Sequence, residues 1–535
     1  MNSLESSIDA ANAIRESVAL ATGPNATISQ DDALMRVSTD QLERVLHDSF
    51  EGPAKDVLTT GLGASPGAAV GRIVLTADEA MMATDDVILV RQETSPADVH
   101  GMQVAVGILT TRGGLASHAA VVARGWGKPA VCGADGIEIG EDHILVNGER
   151  LEVGDVISID GQSGHVMRGA IGSNQAENIP EIDTLLSWAD EVRELAIRAN
   201  ADTGEDARVS RVNGAEGIGL CRTEHMFLTE ERLPIIRTMI LSSSPDIEAK
   251  ALQDLREAQR HDFVDLLEEM DGLPVTVRLL DPPLHEFLPE LEELVEAAAR
   301  NELDADGVAM LQAARKWRER NPMIGTRGVR LAWLKPGLYE MQVEALFDAV
   351  QDRISAGGQP IVEIMIPLTV SAKELAGARE WIESVVQSHP AATSVKIGTM
   401  VETPRAALLA DELAHHADFF SFGTNDLTQL TFGFSRDDIE NRIMNLYLEQ
   451  ELLEANPFQH VDPNAVIELV RTGIERGRST KPDLPVGICG EHGGDPASIE
   501  LLAAAGVDYV SCSPPRLPIA RLAAAHIAIK ARESH

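Results

Sequence analysis

The feature that most constrains this 535-residue chain is a repeated strand-and-helix pattern that runs from residue 195 to its end. Eight apolar runs of strand length recur there, each ending in polar or charged residues and most followed by a helical pattern. The runs are LAIRANAD, GIGLCRTEH, PVTVRLLD, IVEIMIPL, VKIGTMVE, FFSFGTND, PVGICGEHG and DYVSCSPP. Continuous apolar strands that alternate with helices are typical of a parallel sheet. Eight units predict a closed (β/α)₈ barrel with an insertion after the third strand, and periodicity leaves an open doubly wound sheet as the alternative.

The chain ahead of this barrel, which we place at 195–535, divides into three parts by its texture. Residues 1–60 are polar with helical spacing and have little to bury, so we expect a helical lead-in rather than a domain. Residues 61–170 contain short β-rich runs between glycine turns and one apolar helix over 119–123, which predicts a compact β-rich domain. Residues 171–194 contain few glycines and end in a helical pattern, which indicates a linker helix.

The charge balance argues against two classes of partner. The chain has 84 Asp and Glu against 45 Lys and Arg, a formal charge of −39 that would repel nucleic acid and anionic membrane surfaces. Its four cysteines are widely spaced without a Cys-x-x-Cys pair, so we expect neither a zinc site nor a disulfide framework. The N-terminus lacks the apolar run of a signal peptide, and no stretch reaches the length of a membrane span. We therefore expect a cytoplasmic protein that binds neither nucleic acid nor membranes.

Polar residues follow several predicted strands, at the end where parallel α/β folds place their sites. Arg222 and Arg278 follow the second and third strands, and arginine can bind phosphate or carboxylate through two parallel hydrogen bonds. Glu402 and Asp426 follow two later strands, with Asn425 beside Asp426. Two carboxylates and a neutral oxygen ligand suit Mg²⁺ or Mn²⁺. Together these residues predict a metal-assisted site for an anionic substrate.

Each of these residues has a structural alternative when it is taken alone. A strand-end arginine often closes a surface ion pair, and Glu402 can cap the helix that begins at Pro404. Cys489, which follows the strand PVGI, is either a small buried apolar residue or a proton donor or acceptor at carbon. The coincidence of two arginines, two carboxylates, an amide and a thiol at one rim favours the functional reading.

The segment TRGGLASHAAVVARG places a histidine where a helix begins. Gly113 and Gly114 allow backbone amides to approach a ligand. Ser117 can cap the helix, which puts His118 in its first turn. The positive end of a helix favours anions, and an imidazole there can carry a phosphoryl group as a covalent intermediate. For an isolated histidine, packing against the preceding strand is the stronger interpretation.

Several long motifs are specific enough to indicate a family. They are ETSPADVHGMQVAVGILTTRGGLASHAAVVARGWGKPAVCG, RANADT, GAEGIGLCRTEHMF, VTVRLLDPPLHEFLP, NPMIGTRGVRL, IGTMVETPRAALLADELA, FFSFGTNDLTQLTFGFSRDD and VGICGEHGGDPASIELLAAAGVDYVSCSPPRLPIARLAAA. Through them the chain resembles the phosphoenolpyruvate-utilising enzymes, and most closely the pyruvate phosphate dikinase branch, from about residue 27 to its end. The resemblance implies a small swivelling phosphohistidine domain ahead of a barrel that binds phosphoenolpyruvate and pyruvate.

The resemblance also implies roles for individual residues. His118 corresponds to the phosphorylated histidine and Cys489 to the acid that protonates the pyruvate enolate. The substrate-binding positions are Arg222, Arg278, Arg327, Glu402, Thr424, Asn425 and Asp426. Glu402 and Asp426 among them correspond to the ligands of Mg²⁺, the expected cofactor. Arg327 enters through the resemblance alone, because the pattern of residues places it in a loop.

The implied activity is a phosphotransferase reaction between phosphoenolpyruvate and His118. Members of the dikinase branch load the histidine from ATP through an ATP-grasp domain, and the first sixty residues contain no Gly-rich nucleotide loop. We therefore expect one half of a split enzyme, with a separate ATP-grasp subunit as partner. Ala116 stands where the family usually has a threonine that plants phosphorylate, so that regulation is not expected here. The family also implies a homodimer formed through the barrel.

The main alternative is a phosphorelay protein similar to Enzyme I of the sugar phosphotransferase system. Such a protein would pass the phosphoryl group from His118 to a protein acceptor. Residues 61–170 leave no room for the helical docking subdomain of that group, which argues against this reading. A scaffold with a decayed site has little support, because Ala116 is the only departure among the motif residues.

Overall fold

The computed structural model describes most of the chain. The described residues are 3–24, 26–50, 54, 56–94, 98–113, 117–174, 179–227, 229, 231–242, 244–281, 283–289, 291–391 and 395–533. None of the helices formed by these residues combines the length and the apolar character that crossing a membrane requires.

Thirteen strands and seven helices precede the barrel. The helices are α1 (Ser3–Ala21), α2 (Gln30–Arg36), α3 (Thr39–Leu46), α4 (Ala77–Met82), α5 (Val99–Val104), α6 (His118–Trp126) and α7 (Pro180–Val192). The strands are β1 (Ser49–Phe50), β2 (Val57–Thr60), β3 (Leu62–Ser65), β4 (Ala68–Val74), β5 (Val87–Arg91), β6 (Gly107–Thr110), β7 (Ala130–Cys132), β8 (Ile137–Ile139), β9 (His143–Val146), β10 (Glu149–Glu152), β11 (Val156–Asp160), β12 (His165–Arg168) and β13 (Ser173–Asn174). These counts refer to the described residues.

The remaining elements form the barrel and the helices around it. The strands are β14 (Ala196–Asn200), β15 (Ile218–Arg222), β16 (Pro274–Arg278), β17 (Ile361–Ile366), β18 (Lys396–Val401), β19 (Phe420–Phe422), β20 (Val486–Ile488) and β21 (Tyr509–Cys512). The helices are α8 (Gly204–Val212), α9 (Leu233–Leu241), α10 (Pro245–Glu269), α11 (Leu284–Phe287), α12 (Leu291–Ala299), α13 (Ala305–Trp317), α14 (Val329–Leu334), α15 (Leu338–Ser355), α16 (Ala372–Ser388), α17 (Pro404–Leu408), α18 (Ala410–Ala414), α19 (Thr424–Phe432), α20 (Arg436–Ile439), α21 (Asn445–Glu449), α22 (Val466–Thr480), α23 (Pro496–Ala505) and α24 (Leu517–Glu533).

The eight strands β14–β21 are parallel and close on themselves in chain order. β21 pairs with β14 through Tyr509 opposite Ala196, which closes the ring and makes the open-sheet alternative wrong. Each strand corresponds to one predicted apolar run, so the α/β barrel is confirmed. The expected insertion also lies after the third strand, where α11–α15 separate β16 from β17. The closed ring brings all eight carboxyl ends of the strands to one rim.

The β-rich region before the barrel is built on an eight-stranded mixed sheet in the order β2-β12-β11-β4-β5-β6-β7-β3. Its two faces bury separate apolar clusters, as alternate residues of β5 show: Ile88 and Val90 lie in one cluster and Leu89 in the other. The second cluster includes Ala120 and Ala123 of α6, so the small apolar residues of this helix pack against the sheet. The sheet thereby fixes the start of α6.

The first three helices bury more than the sequence indicated. Ile14, Leu34 and Leu42 are fully buried and join one apolar cluster with residues of α7 and α24. α2 and α3 each begin at a capping box, with Ser29 and Ser38 as the N-caps. The expectation that this segment has little to bury is therefore wrong. Its apolar residues are spread over short helices whose partner faces lie far away in the sequence. The predicted domain boundaries stay predictions.

Candidate active site

A cavity of about 260 Å³ opens at the carboxyl ends of the barrel strands. Seven predicted residues line it, namely Arg222, Arg278, Arg327, Glu402, Asn425, Asp426 and Cys489. Arg222 and Arg278 are the last residues of β15 and β16. Glu402 and Cys489 directly follow β18 and β20, while Asp426 lies in the first turn of α19, just after β19. The barrel therefore brings residues that are far apart in sequence together around one cavity.

Two of the arginines are anchored by buried carboxylates. Arg327 donates to Asp281 through Nε at 2.9 Å and Nη2 at 2.7 Å, and Asp281 also lies 3.3 Å from Nη1 of Arg278. Arg278 forms a further short ion pair with Glu224. Burial alone would lower the pKa of both arginines, but the adjacent carboxylates raise it well above the usual range. Both guanidinium groups stay charged and held in place.

Arg222 differs from these two arginines. Its backbone N–H donates to Oδ1 of Asp202 at 2.6 Å, which fixes the end of β15. Among the described residues, no carboxylate lies within ion-pair distance of its guanidinium group, so the strand-end ion pair considered from the sequence is not seen there. A half-buried arginine in a cavity with its charge unmatched is suited to an anionic ligand.

Glu402 and Asp426 bring two carboxylates to the same cavity. Glu402 is 1% exposed, accepts a hydrogen bond from the Leu368 N–H at 2.7 Å and forms no ion pair with any described residue, whereas Asp426 lies 3.1 Å from Arg327. Burial, followed by repulsion from Asp426, raises the pKa of Glu402 well above its usual range. Burial also raises the pKa of Asp426 despite the nearby arginine. The helix-cap alternative for Glu402 is wrong, because Thr403 caps α17 by accepting from the Ala406 N–H.

This carboxylate pair fits a hard divalent cation. Within the described ranges, no group of three or more His, Cys, Asp and Glu side chains is arranged around a common metal position. Mg²⁺ usually needs only one or two carboxylates, since water and substrate oxygens complete its octahedron. Gly423 keeps the space beside Glu402 open, because a Cβ there would lie 2.8 Å from Oε2. A cation would relieve the repulsion that raises the pKa of these carboxyls.

Cys489 lies at the wall of the cavity among apolar neighbours. It is 1% exposed and packs with Leu220, Met365, Met400 and Phe419. Its Sγ donates to the Phe422 carbonyl oxygen at 3.6 Å. Burial raises the pKa of the thiol to about 11, so it is protonated at neutral pH. A protonated thiol at the cavity wall can act as an acid.

The two residues beside Asp426 have different environments. Asn425 lines the cavity and accepts a hydrogen bond from the Glu491 N–H at 3.3 Å. Thr424 is fully buried behind the wall, and its Oγ1 lies 2.8 Å from Nδ1 of His492. The other nitrogen, Nε2, donates to the Pro457 carbonyl at 3.0 Å, so Nδ1 accepts from Thr424. Burial lowers the pKa of His492 to about 4, which keeps the ring neutral. The substrate contact expected of Thr424 stays a prediction.

His118 is the first residue of α6, as the sequence predicts. Ser117 is the N-cap and accepts from the Ala120 N–H, and Gly113 has a φ of 97°. Gly114, Ala116 and the side chain of His118 lie outside the described part of the chain. At the other end of α6, Gly127 has a φ of 65° and faces Pro515 of the barrel, whose Cγ lies 3.0 Å from where a Cβ would stand. The histidine-bearing helix therefore lies against the barrel.

Comparison with known proteins identifies the family. The description "PEP-utilising enzyme, PEP-binding domain" matches residues 176–529, and "PEP-utilising enzyme, mobile domain" matches residues 83–164. The first match alone covers more than half of the chain. The chain belongs to the PEP-utilising enzymes. The resemblance that the motifs indicated is thereby confirmed.

The relatives of this PEP-utilising enzyme include several dikinases. It is 49% identical to "Pyruvate, phosphate dikinase 1, chloroplastic" of Oryza sativa subsp. japonica, with 94% of this chain and 54% of that protein covered. It is also 49% identical to "Pyruvate, phosphate dikinase 2" of Zea mays and to "Pyruvate, phosphate dikinase" of Rhizobium meliloti (strain 1021), covering 93% and 95% of this chain and 58% and 57% of those proteins. The chain thus spans about half the length of these relatives.

One solved structure is similar only in a loose sense. The Haloferax volcanii malate synthase in its pyruvate/acetyl-CoA ternary complex aligns with a TM-score of 0.32 and 11% identity, over 62% of this chain and 69% of that one. An agreement of this size carries no argument about fold or function.

The cavity of this PEP-utilising enzyme also contains charged residues that the sequence reading did not select. Glu224 and Asp281 line it and hold the arginines, and Arg436 lines it from the segment after α19. Glu224 and Asp281 follow their strands by two and three residues, so the strand-end rule could have found them. Arg436 had no such signal, because only the fold of the loop directs it inward.

Proposed function

We propose that this PEP-utilising enzyme transfers a phosphoryl group between phosphoenolpyruvate and His118, with pyruvate released or consumed. The proposal rests on the set of residues that line the cavity. Arginines, a carboxylate without an ion-pair partner in the described part of the chain and a protonated thiol surround one space of about 260 Å³, which suits a small anionic acid rather than a large ligand. The names of the relatives, pyruvate, phosphate dikinase, give further support.

The arginines bind the phosphoryl group of the substrate. Arg222 offers a guanidinium group without an ion-pair partner among the described residues, and we assign it to the phosphoryl oxygens. Arg278 and Arg327 add charge from fixed positions, because Asp281 and Glu224 hold them before substrate arrives. Preorganised positive charge of this kind stabilises a phosphoryl group in transfer, whose transition state depends mainly on position and electrostatics.

Glu402 and Asp426 are the residues that would hold Mg²⁺. When bound, the cation supplies positive charge to the substrate oxygens as negative charge builds on the enolate. The chain itself provides the second part of the chemistry through Cys489. Because its pKa of about 11 keeps the thiol protonated, Cys489 can deliver a proton to the methylene carbon of the enolate.

The reaction balances as a covalent relay. The unprotonated imidazole nitrogen of His118 attacks phosphorus, an N–P bond forms and the bond from phosphorus to the enolate oxygen breaks. The enolate takes a proton from Cys489 at carbon and becomes pyruvate, and the thiolate regains a proton from water. In reverse, the same residues form phosphoenolpyruvate from pyruvate and phosphorylated His118.

The second half of the reaction takes place away from this cavity. We assign the exchange of the phosphoryl group with nucleotide to an ATP-grasp domain outside these 535 residues. Residues 61–170 would then swing between two sites, with 171–194 as the hinge, because one carrier must reach both. A homodimer and a cytoplasmic location stay predictions, which light scattering of the purified protein and cell fractionation can test.

The decisive experiment incubates the chain with Mg²⁺ and ³²P-labelled phosphoenolpyruvate. We expect pyruvate release and one acid-labile phosphate on the peptide that contains His118, and neither in the variant His118→Asn. Absence of phosphohistidine in the unmodified chain refutes the proposal. Adding AMP and pyrophosphate with cell extract should then yield ATP, whereas transfer of label to an extract protein without ATP would support the relay alternative.

A further inference from the structure

An aspartate–histidine pair at the rim of the cavity has no part in the mechanism above. Asp202 lies just after β14 and His225 begins a short 3₁₀ helix after β15. Oδ2 of Asp202 lies 2.8 Å from Nδ1 of His225, while its Oδ1 accepts from the Arg222 N–H at 2.6 Å. One carboxylate therefore fixes both the imidazole and the strand end that presents Arg222.

The geometry leaves the other ring nitrogen available. Because Nδ1 donates to Asp202, Nε2 is the free nitrogen of His225, and no described residue forms a hydrogen bond with it. His225 lines the same cavity as Arg222, and its side chain is 52% exposed. The Nε2 of His225 is therefore open to a ligand in the cavity, whereas the Nε2 of His492 is bonded to the Pro457 carbonyl.

Three charged groups determine the ionisation of this imidazole. Burial favours the neutral ring, but the adjacent Asp202 and then Glu224 raise the pKa of His225 above its usual value, and Arg222 opposes them. Glu224 is itself paired with Arg278, so Asp202 is the direct partner. The positively charged ring, whose direct partner is Asp202, is thus favoured near Arg222, which has no ion-pair partner among the described residues.

We propose that His225 is a further substrate-binding residue, whose protonated imidazole donates from Nε2 to a phosphoryl oxygen of phosphoenolpyruvate, with Asp202 as its positioning residue. This inference rests on the proposed function and deepens it. The assignment to phosphate follows because His225 and Arg222 line the same cavity, and Arg222 is the arginine that we assign to the phosphoryl oxygens. A carboxylate or phosphate gains most from donors that carry charge.

The pH dependence follows from the sign of the charge. The imidazolium is present below its raised pKa and is lost as pH rises through it. Affinity for phosphoenolpyruvate should fall in the same range, and the phosphate of the ligand itself also titrates there. The titration of the ligand affects the dissociation constants of a His225 variant and of its reference equally at any one pH. It therefore cancels in the ratio of the two constants.

The test measures binding in the background His118→Asn, in which no transfer can consume the ligand. Titration calorimetry with Mg²⁺ from pH 6 to 8.5 compares His225 with His225→Asn, whose amide can keep the bond to Asp202. We expect His225→Asn to bind phosphoenolpyruvate about tenfold more weakly than the reference at pH 6. At pH 8.5 the ratio of the two dissociation constants should approach one. Pyruvate, which lacks the phosphoryl group, should bind the two proteins equally.

Two further variants keep the result interpretable. His225→Gln can place a neutral donor near Nε2, so we expect an intermediate loss that does not change with pH. His460→Gln is the matched control, because His460 is also a half-exposed histidine bonded to an aspartate, Asp495 at 3.0 Å, but lies outside the cavity lining. It should bind phosphoenolpyruvate as the reference does.

The outcomes separate the two proposals. If His225→Asn binds within twofold of the reference at every pH while the unmodified chain still forms phosphohistidine, the role of His225 is refuted and the proposed function stands. An equal loss for pyruvate also refutes the assignment to phosphate. If the reference binds no phosphoenolpyruvate and the unmodified chain forms no phosphohistidine, both proposals fail.

Discussion

Glu402 and Glu363 are both buried glutamates of the barrel, and they differ in their partners. Glu363 is 5% exposed and accepts from Arg198 at 2.7 Å and from Thr276 at 2.8 Å, whereas among the described residues Glu402 accepts only from the Leu368 N–H. Burial works against both charges, but Arg198 lowers the pKa of Glu363 while Asp426 helps to raise that of Glu402. One carboxylate therefore stabilises the barrel at neutral pH, and the other weakens it.

We expect Glu402→Gln, measured without Mg²⁺ at pH 7.5, to leave the melting temperature unchanged or to raise it. A carboxyl whose folded pKa exceeds its unfolded value opposes folding at pH values above both, and the amide removes that penalty. Glu363→Gln should instead lower the free energy of unfolding by about 2–3 kcal/mol, since it leaves the charge of Arg198 without its partner. Calorimetry of both variants tests this pair. A clear destabilisation by Glu402→Gln would contradict it.

Cys489 and Cys512 form a second matched pair. Both are 1% exposed, and burial raises their pKa values to about 11 and about 12, but only Cys489 lines the cavity. We expect Cys489→Ala to slow pyruvate formation by about 10²–10⁴-fold while affinity for phosphoenolpyruvate changes less than about threefold. Cys512→Ala should affect neither quantity strongly. Steady-state kinetics and calorimetry provide the two measurements, and an equal loss in both for Cys489→Ala would contradict its role as an acid.

At the scale of elements, the segment after α19 contains a π-helical turn over Glu440–Met444. The turn brings Glu440 to Arg436, with Oε2 3.0 Å from Nε, and Oε1 accepts from Asn456 at 3.1 Å. Arg436 also binds Glu491 through two hydrogen bonds of 3.1 and 2.9 Å. Turns of this type are frequent at functional sites, and this one contains the carboxylate that pairs with the cavity-lining Arg436.

The ionisation of Glu440 gives this segment a pH dependence. Burial raises its pKa to about 7, although Arg436 opposes the shift. Because the folded pKa lies above the unfolded value near 4.5, Glu440 favours the folded state less and less as pH rises from about 4.5 to 7. At pH 8 the free energy of unfolding should be about 2.5 kcal/mol lower than at pH 5 through this group.

We expect Glu440→Gln to abolish this part of the pH dependence, because its side chain does not ionise. The variant should match the unmodified chain near pH 4.5 and exceed its stability at pH 8, as calorimetry can measure. Glu468→Gln, in an exposed glutamate of α22, is the control for the pH response of the rest of the chain. Parallel curves for Glu440→Gln and the unmodified chain would contradict the assignment.

Some elements could be predicted and others could not, for a physical reason. Parallel barrel strands are buried on both faces, so each reads as a continuous apolar run that a local window detects. The helices α1–α3 bury single residues such as Ile14 and Leu42 against α7 and α24, whose sequences lie far away. A local pattern contains no information about such a partner. The π-helical turn could not be predicted from the sequence for the same reason.

At the scale of the whole molecule, α6 meets the barrel at its C-terminal end. Gly127 ends the helix with a φ of 65° and faces Pro515. Arg124, one turn earlier, lies close enough to Glu491 and Arg436 for their charges to affect its ionisation, although burial is the main cause that lowers its pKa. The helix that carries His118 therefore lies near Arg436, which lines the cavity.

Gly127→Ala tests whether this contact matters for transfer. An alanine there is strained by the positive φ, and its Cβ would also press on Pro515, which must give way or let α6 move. Gly169→Ala is the matched control, since Gly169 has a φ of 72° in the same region with nothing within 4 Å of the added Cβ. We expect both to cost about 1 kcal/mol of stability.

The two variants should differ in rate. Phosphorylation of His118 by phosphoenolpyruvate should slow about tenfold or more in Gly127→Ala and stay near that of the unmodified chain in Gly169→Ala, because a displacement of about 1 Å is costly for an in-line transfer. Rapid-quench measurement of acid-labile phosphate gives both rates. Equal rates in the two variants would show that the contact with Pro515 has no part in the transfer.

The sequence by itself determined the eight parallel strands, the insertion after the third, the helix that begins at His118 and the strand-end identity of most cavity residues. The pairing of β21 with β14, which only the structure shows, decided that the strands close into a barrel. These features depend on local patterns or on the rule that parallel strands share one rim. Only the tertiary structure decided which charges have partners. Arg327 is held by Asp281, Thr424 by His492, and Glu402 by no cation among the described residues. Such pairings join residues from different strands and loops, and distance in space is a property that the order of residues does not contain.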